Sequence, residues 1–205
     1  MTSEVDASVI ESIRRWPNVP SVFGWLSLNA RGQWRIHPDG QATAGGPGEA
    51  IQNTQILQFI DRNYGGDDQG RWFFQNGPQR VYVRLEAAPF IARVVNTACH
   101  LVTHNHLPIK QVPSWWIDPQ GHLYLQTEHG PARLEDRDLE VVADRLETRD
   151  GTTLLQWWSD TQEDTTLVTD TTGALASTDK TMCLQRLNAS QTIASLLGFI
   201  ANPVQ

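Results

Sequence analysis

The chain has 205 residues, 40% of them apolar and 19% charged, with a formal net charge of −7. That length allows one ordinary domain or two small ones, and that composition excludes a disordered chain. The 16 basic residues are scattered, which excludes duplex nucleic acid and an anionic membrane surface as general partners, because both need clustered Lys and Arg.

Cys99 and Cys183 stand far apart with no CxxC neighbour, the pattern of a reduced cytosolic chain, with one long-range disulfide as the alternative. The opening residues Thr2-Ser3-Glu4-Val5-Asp6 carry acid where a secretory signal carries base. No apolar stretch approaches the about 20 residues of a membrane helix. A cytoplasmic protein is expected.

Ser3 or Asp6 can cap a first helix with apolar positions Val9, Ile10, Ile13 and Trp16, ended by Pro17 and Pro20. Residues 21–36 alternate in the strand period about a turn at 29–32, with Trp25 and Trp34 on either side. A Gly/Pro-rich loop follows, and the spacing Ile56, Phe59, Ile60, Tyr64 predicts a helix over 51–64, stopped by Gly65-Gly66. Asn76-Gly77-Pro78 predicts a hairpin between 72–75 and 79–85, with Val81, Val83 and Leu85 on one face and Arg80, Tyr82 and Arg84 on the other. Residues 100–113 lose periodicity and read as a connector. Trp115-Trp116-Ile117, a turn at 118–121 and residues 122–125 predict another hairpin, then a helix over 134–146. Residues 152–158 and 165–169 read as a hairpin around Gln162-Glu163-Asp164, 182–187 as a strand, and Asn188 or Ser190 as the cap of a last helix with Ile193, Leu196, Leu197 and Ile200.

One pattern occurs twice, about 83 positions apart. Ile51-x4-Ile56-x2-Phe59-x-Asp61-Arg62, followed by Asp68-x-Gly70 and Trp72-Phe73-Phe74, is echoed by Leu134-x4-Leu139-x2-Val142-x-Asp144-Arg145, followed by Asp150-Gly151 and Leu154-Leu155 with Trp157-Trp158. A period this long signals a duplicated supersecondary unit. The fold expected is α+β, with internally duplicated hairpin-helix-hairpin units and largely antiparallel sheets: an N-terminal unit 1–98, a connector 99–113 and a related C-terminal unit 114–205. The repeated Asp-Arg dipeptide reads as structure, tying each helix to its hairpin.

The stretches Asp67-Asp68-Gln69-Gly70-Arg71, Asn76-Gly77-Pro78-Gln79-Arg80-Val81-Tyr82-Val83 and Leu85-Glu86-Ala87-Ala88-Pro89-Phe90 resemble a proteobacterial family of unknown function, as do Pro131-Ala132-Arg133-Leu134 through Asp144-Arg145-Leu146. The resemblance implies duplicated α+β units with pleckstrin-homology-like topology and a ligand-binding or signalling role. It brings no catalytic residues. Where the family pattern has an acid after Glu86, this chain has Ala87-Ala88.

Candidate chemistry is sparse. His100, His104 and His106, beside Cys99, could hold a divalent transition metal if the segment were helical, so that i and i+4 meet. The other histidines, His37, His122 and His129, sit at turns and read as exposed. Arg80, Tyr82 and Arg84 share a strand face that could hold an anion, and Trp115-Trp116 could stack on a ligand or seal a dimer. No P-loop or nucleophile elbow is present. The reading is a cytoplasmic, non-catalytic ligand- or protein-binding module without a resident cofactor, monomeric or homodimeric, with its small molecule or protein partner at the boundary between units. The alternatives are a metal-dependent enzyme using the histidines and a structural dimerisation protein.

Overall fold

The computed structural model describes residues 6–95, 99–160, 164–170, 175, 181–188 and 190–205. The chain divides into two compact units. The first comprises Met1–Pro89 and Gly198–Gln205, and the second Phe90–Leu197. The sequence drew its boundaries at 98 and 114. Residues 90–94 instead enter the second sheet, and the expected connector supplies a strand of that sheet.

The first unit begins with α1 (Ala7–Arg15). Its strands are β1 (Val22–Leu28), β2 (Trp34–Ile36), β3 (Glu49–Ala50), β4 (Tyr64–Gly66), β5 (Trp72–Asn76) and β6 (Gln79–Leu85), with α2 (Thr54–Arg62) between β3 and β4. The sheet order is β3-β2-β1-β6-β5-β4. Its central pair, β1 and β6, is parallel, and the other pairs are antiparallel. Residues 198–205 return to this unit: Leu85 N–H donates to Ala201 O at 2.7 Å and Ile200 N–H to Gly70 O at 2.8 Å.

The second unit carries β7 (Phe90–Val94), β8 (Leu101–Thr103), β9 (Ser114–Ile117), β10 (Leu123–Thr127), β11 (Gly130–Leu134), α3 (Leu139–Ala143), β12 (Leu146–Thr148), α4 (Leu154–Asp160), β13 (Thr165–Asp170), β14 (Thr181–Arg186) and α5 (Ile193–Leu197). Its sheet order is β12-β13-β14-β9-β10-β11-β7-β8. Without β7 and β8, this is the strand order of the first sheet. Here too the central pair, β9 and β14, is parallel. The mixed α+β class and mostly antiparallel sheets agree with the sequence.

Local chemistry explains the hairpins. The side-chain oxygen of Asn29 accepts from the backbone N–H of Arg31 and Gln33. Asp67 holds Gln69 and Arg71 in the same way, and Asp118 holds Gln120 and His122. These Asx turns set each reversal independently of packing. Between β12 and α4 the Thr148 hydroxyl does the same for Thr152 N–H at 3.0 Å.

Several expectations are corrected. Gly65-Gly66 does not stop the helix. Asn63 does, its Nδ2 donating to Phe59 O at 2.9 Å, and Tyr64–Gly66 is β4. Residues 152–158 contain no strand. Thr153 and Gln156 exchange side chain-to-backbone hydrogen bonds at 3.3 Å, a capping box that starts α4, and the helix buries Leu154 and Trp157 on one side. β13 pairs with β12 and β14 instead. The expected 134–146 helix shrinks to α3, because Leu134 ends β11 and Leu146 begins β12. Of the apolar face of α1 only Val9 is buried. Thr192, not Asn188 or Ser190, caps α5, accepting from Ser195 N–H at 3.2 Å. Ser3 and the Gln162-Glu163 turn lie outside the described residues.

Candidate functional site

One face of the first sheet carries Leu26, Ile36, Val81, Val83 and Phe74, since Leu26 pairs with both Ile36 and Val83, and Phe74 pairs with Val81. The predicted grouping of Val81, Val83 and Leu85 on one face holds. α2 is set beside this face by its cap: Asn53 accepts from Gln55 N–H at 2.9 Å and Ile56 N–H at 3.2 Å. At its other end Asp61 accepts from Trp34 Nε1 at 2.7 Å, the tie between helix and hairpin expected of the first Asp-Arg pair.

Sheet and helix enclose an apolar cavity of about 440 Å³. Val22, Trp25 and Leu26 of β1, Ile36 of β2, Ile51, Ile56 and Ile60 of the α2 region, Phe74 of β5, and Gln79 and Val81 of β6 line it. A β-bulge places three β1 residues on it: the β1–β6 register shifts between Val22 and Leu26. Gly24 sits in the bulge at φ 82°, and a Cβ there would lie 2.2 Å from Gly40 O. Only glycine accommodates both conditions. The cavity opens to solvent past large apolar side chains, with Trp25 46%, Ile36 42% and Ile56 49% exposed.

On the opposite face the predicted anion holders are largely committed. Tyr82 is buried. It stacks on Phe23 with ring centroids 4.6 Å apart and donates to Asp67 Oδ2 at 3.0 Å. Arg71 pairs with the same carboxylate at 2.8 Å. Burial raises the Asp67 pKa, but hydrogen bonds from Arg71 and Tyr82 outweigh it and hold the carboxyl below its ordinary value. Arg84 lies 3.8 Å from Glu86, and Arg80 lies over the Phe73 ring at 4.4 Å. The three predicted residues share a face but do not converge on one open point.

In the second unit Trp115 and Trp116 are both buried. Trp115 Nε1 donates to Met182 Sδ at 3.2 Å and Trp116 Nε1 to Gln185 Oε1 at 3.0 Å. The histidine cluster does not assemble. Residues 101–103 form β8, so helical i, i+4 spacing never arises. His104 is buried, its Nδ1 accepting from Ile91 N–H at 3.4 Å, while His100 and His106 are exposed. Among the described residues no group of three or more His, Cys, Asp or Glu side chains is placed to hold a metal ion. Cys99 and Cys183 are both free thiols.

One pair escaped the sequence reading. His37, expected at the surface, is buried, and its Nε2 shares a hydrogen bond with Ser27 Oγ at 2.8 Å. Burial, then Arg84 and Arg35, lower its pKa. Both partners are closed off from solvent, so the pair joins β1 to the end of β2 and presents no nucleophile. The sequence does not mark the residues of the apolar cavity as a group, although Ile36, Ile51 and Ile56 are visible in it as apolar positions.

These features define an α+β protein with two mostly antiparallel sheets, the first bearing an open apolar cavity. The chain belongs to the family DUF2944, described as "Protein of unknown function (DUF2946)", which it matches over residues 5–204. That membership agrees with the uncharacterised family expected from the sequence. The structure is similar to that of a DUF1285 family protein from Silicibacter pomeroyi DSS-3, with a TM-score of 0.52 at 15% identity over 90% of this chain and 88% of the other. That likeness shows a common fold. A DUF1285 family protein from Shewanella baltica OS155 matches 56% of this chain and 87% of its own length at 15% identity, with a TM-score of 0.39. No curated protein matches the chain. No helix among the described residues is long and apolar enough to cross a membrane.

Proposed function

We propose that the protein is a non-catalytic module that binds a small molecule in the cavity of its first unit. The observation that carries this reading is the apolar cavity of about 440 Å³, within the size range of ligand sites, whose mouth leaves Trp25, Ile36 and Ile56 substantially exposed. Grouping large apolar side chains around one opening is unfavourable in water, and a ligand that covers them removes the cost. Among the described residues the polar candidates do not compete with the cavity: Ser27 and His37 are sealed, and His100, His104 and His106 do not converge. The same reading takes the two units as copies of one ancestral unit, supported by the sequence period and the shared strand order.

Native mass spectrometry of the untagged protein, purified without detergent or chelator, tests it. The expected result is an added organic mass that organic extraction removes. Protein that is repeatedly bare, or whose added mass is a metal ion lost to chelator, refutes it.

A further inference from the structure

The two sheets can be aligned through their hydrogen-bond registers. Leu28 pairs with Trp34 across the turn at 29–33, and Ile117 pairs with Leu123 across the equally long turn at 118–122. One step further along, Leu26 pairs with Ile36 and Trp115 with Leu125. Across the parallel central pair, Leu26 faces Val83 and Trp115 faces Leu184. Val81 therefore corresponds to Met182, and their antiparallel partners Phe74 and Val168 correspond to each other.

At the second-unit positions Trp115, Leu125 and Val168 are 0% exposed and Met182 is 1% exposed. The first unit carries the smaller Leu26 and Val81 where the second carries Trp115 and Met182, and the larger Phe74 where the second carries Val168; Leu26, Val81 and Phe74 all line the cavity. None of the lining side chains is charged. The single polar one, Gln79, already donates to Pro20 O at 3.1 Å. A carboxylate or phosphate buried there would lose its hydration with no counter-charge to replace it.

We infer that the cavity is the space the second unit fills with its own Trp115, and that the ligand taking it is an uncharged, predominantly hydrocarbon molecule. This rests on the small-molecule reading above and names its chemistry. Two dyes serve as probes: uncharged N-phenylnaphthylamine and anionic anilinonaphthalenesulfonate, titrated into the full chain with fluorescence as readout. Wild type binds the uncharged dye more tightly. Leu26→Trp, which copies the second unit, remains folded and binds it at least about tenfold more weakly. Should Leu26→Trp not fold, Ile56→Glu at the exposed mouth gives the same weakening without altering the core.

Uncharged dye bound equally by wild type and a folded variant overturns the location. Preference for the anionic dye overturns the ligand class. Absence of dye binding with concentration-dependent dimerisation in sedimentation overturns both, in favour of a second copy covering the opening. If native mass spectrometry finds a charged metabolite instead, this inference fails while the small-molecule reading stands.

Discussion

His104 offers a quantitative test of the second unit. It is 6% exposed, with its ring centroid 5.8 Å from that of Phe90. Burial, followed by the positive charges of Arg93 and His106, pushes its pKa from 6.5 down to about 3. Between those values the unfolded chain takes up a proton that the folded chain refuses, so stability falls as pH drops below about 6.5. One pKa unit is worth about 1.4 kcal/mol. Lowering the pH from about 7.5 to about 5 therefore removes about 2 kcal/mol through this one side chain. Urea unfolding of wild type and His104→Asn at both pH values isolates the effect. Asparagine keeps an acceptor for Ile91 N–H and takes up no proton. At neutral pH the variant is less stable, by about 1–3 kcal/mol, through lost packing. At the lower pH the gap between the two proteins closes by about 2 kcal/mol. A gap that stays constant across the two pH values would refute a buried, neutral His104.

Other consequences are as direct. Asn53→Ala removes both acceptor contacts at the start of α2 and costs about 1 kcal/mol in chemical denaturation. Gly24→Ala forces a Cβ against Gly40 O and costs about 2 kcal/mol or more, with a lower thermal midpoint and weaker uncharged-dye binding, because the bulge aims Trp25. Tyr82→Phe deletes the hydroxyl donor to Asp67, costing about 1 kcal/mol. It also raises the Asp67 pKa, which an NMR carboxyl titration reads directly. Since that pKa is depressed in the folded chain, the stability Asp67 contributes is present above the ordinary carboxylate range and lost as pH falls through the folded value.

The legible parts of the fold are those set by neighbours in sequence. Asn29, Asp67 and Asp118 build their turns from backbone N–H groups two and four residues on, and a period-two run flanks each. Misreadings arose where composition outvoted a specific local bond. Trp157-Trp158 looks like strand because aromatics favour strands, yet the Thr153–Gln156 capping box, itself a sequence signature, starts a helix. Gly65-Gly66 looks like a helix stop, yet Asn63 has already ended α2 and the glycines pair with Phe73 and Trp72. The repeat fails after its helices because α4 occupies the place of the second aromatic run: Trp72-Phe73-Phe74 lies on β5, whose counterpart by sheet order is β13 rather than Trp157-Trp158.

The candidate site was illegible for a different reason. A catalytic or metal centre is marked by unusual residues, and the sequence has few to offer. This site is marked by missing volume. Leu26, Ile36, Phe74 and Val81 are residues that any sheet core would use, and nothing in their own neighbourhood says that the space above them is unfilled. Only register reveals it, because register identifies Leu26 with Trp115 and Val81 with Met182. The two faces, aligned by register, can then be compared position by position. The second buries Trp115, Leu125, Val168 and Met182, while the first leaves Trp25 and Ile56 exposed at its edge. Because the cavity opens to solvent, its cost lies in the apolar side chains it leaves in contact with water. On the proposed reading, a ligand covering Trp25 and Ile56 supplies that volume from outside the chain.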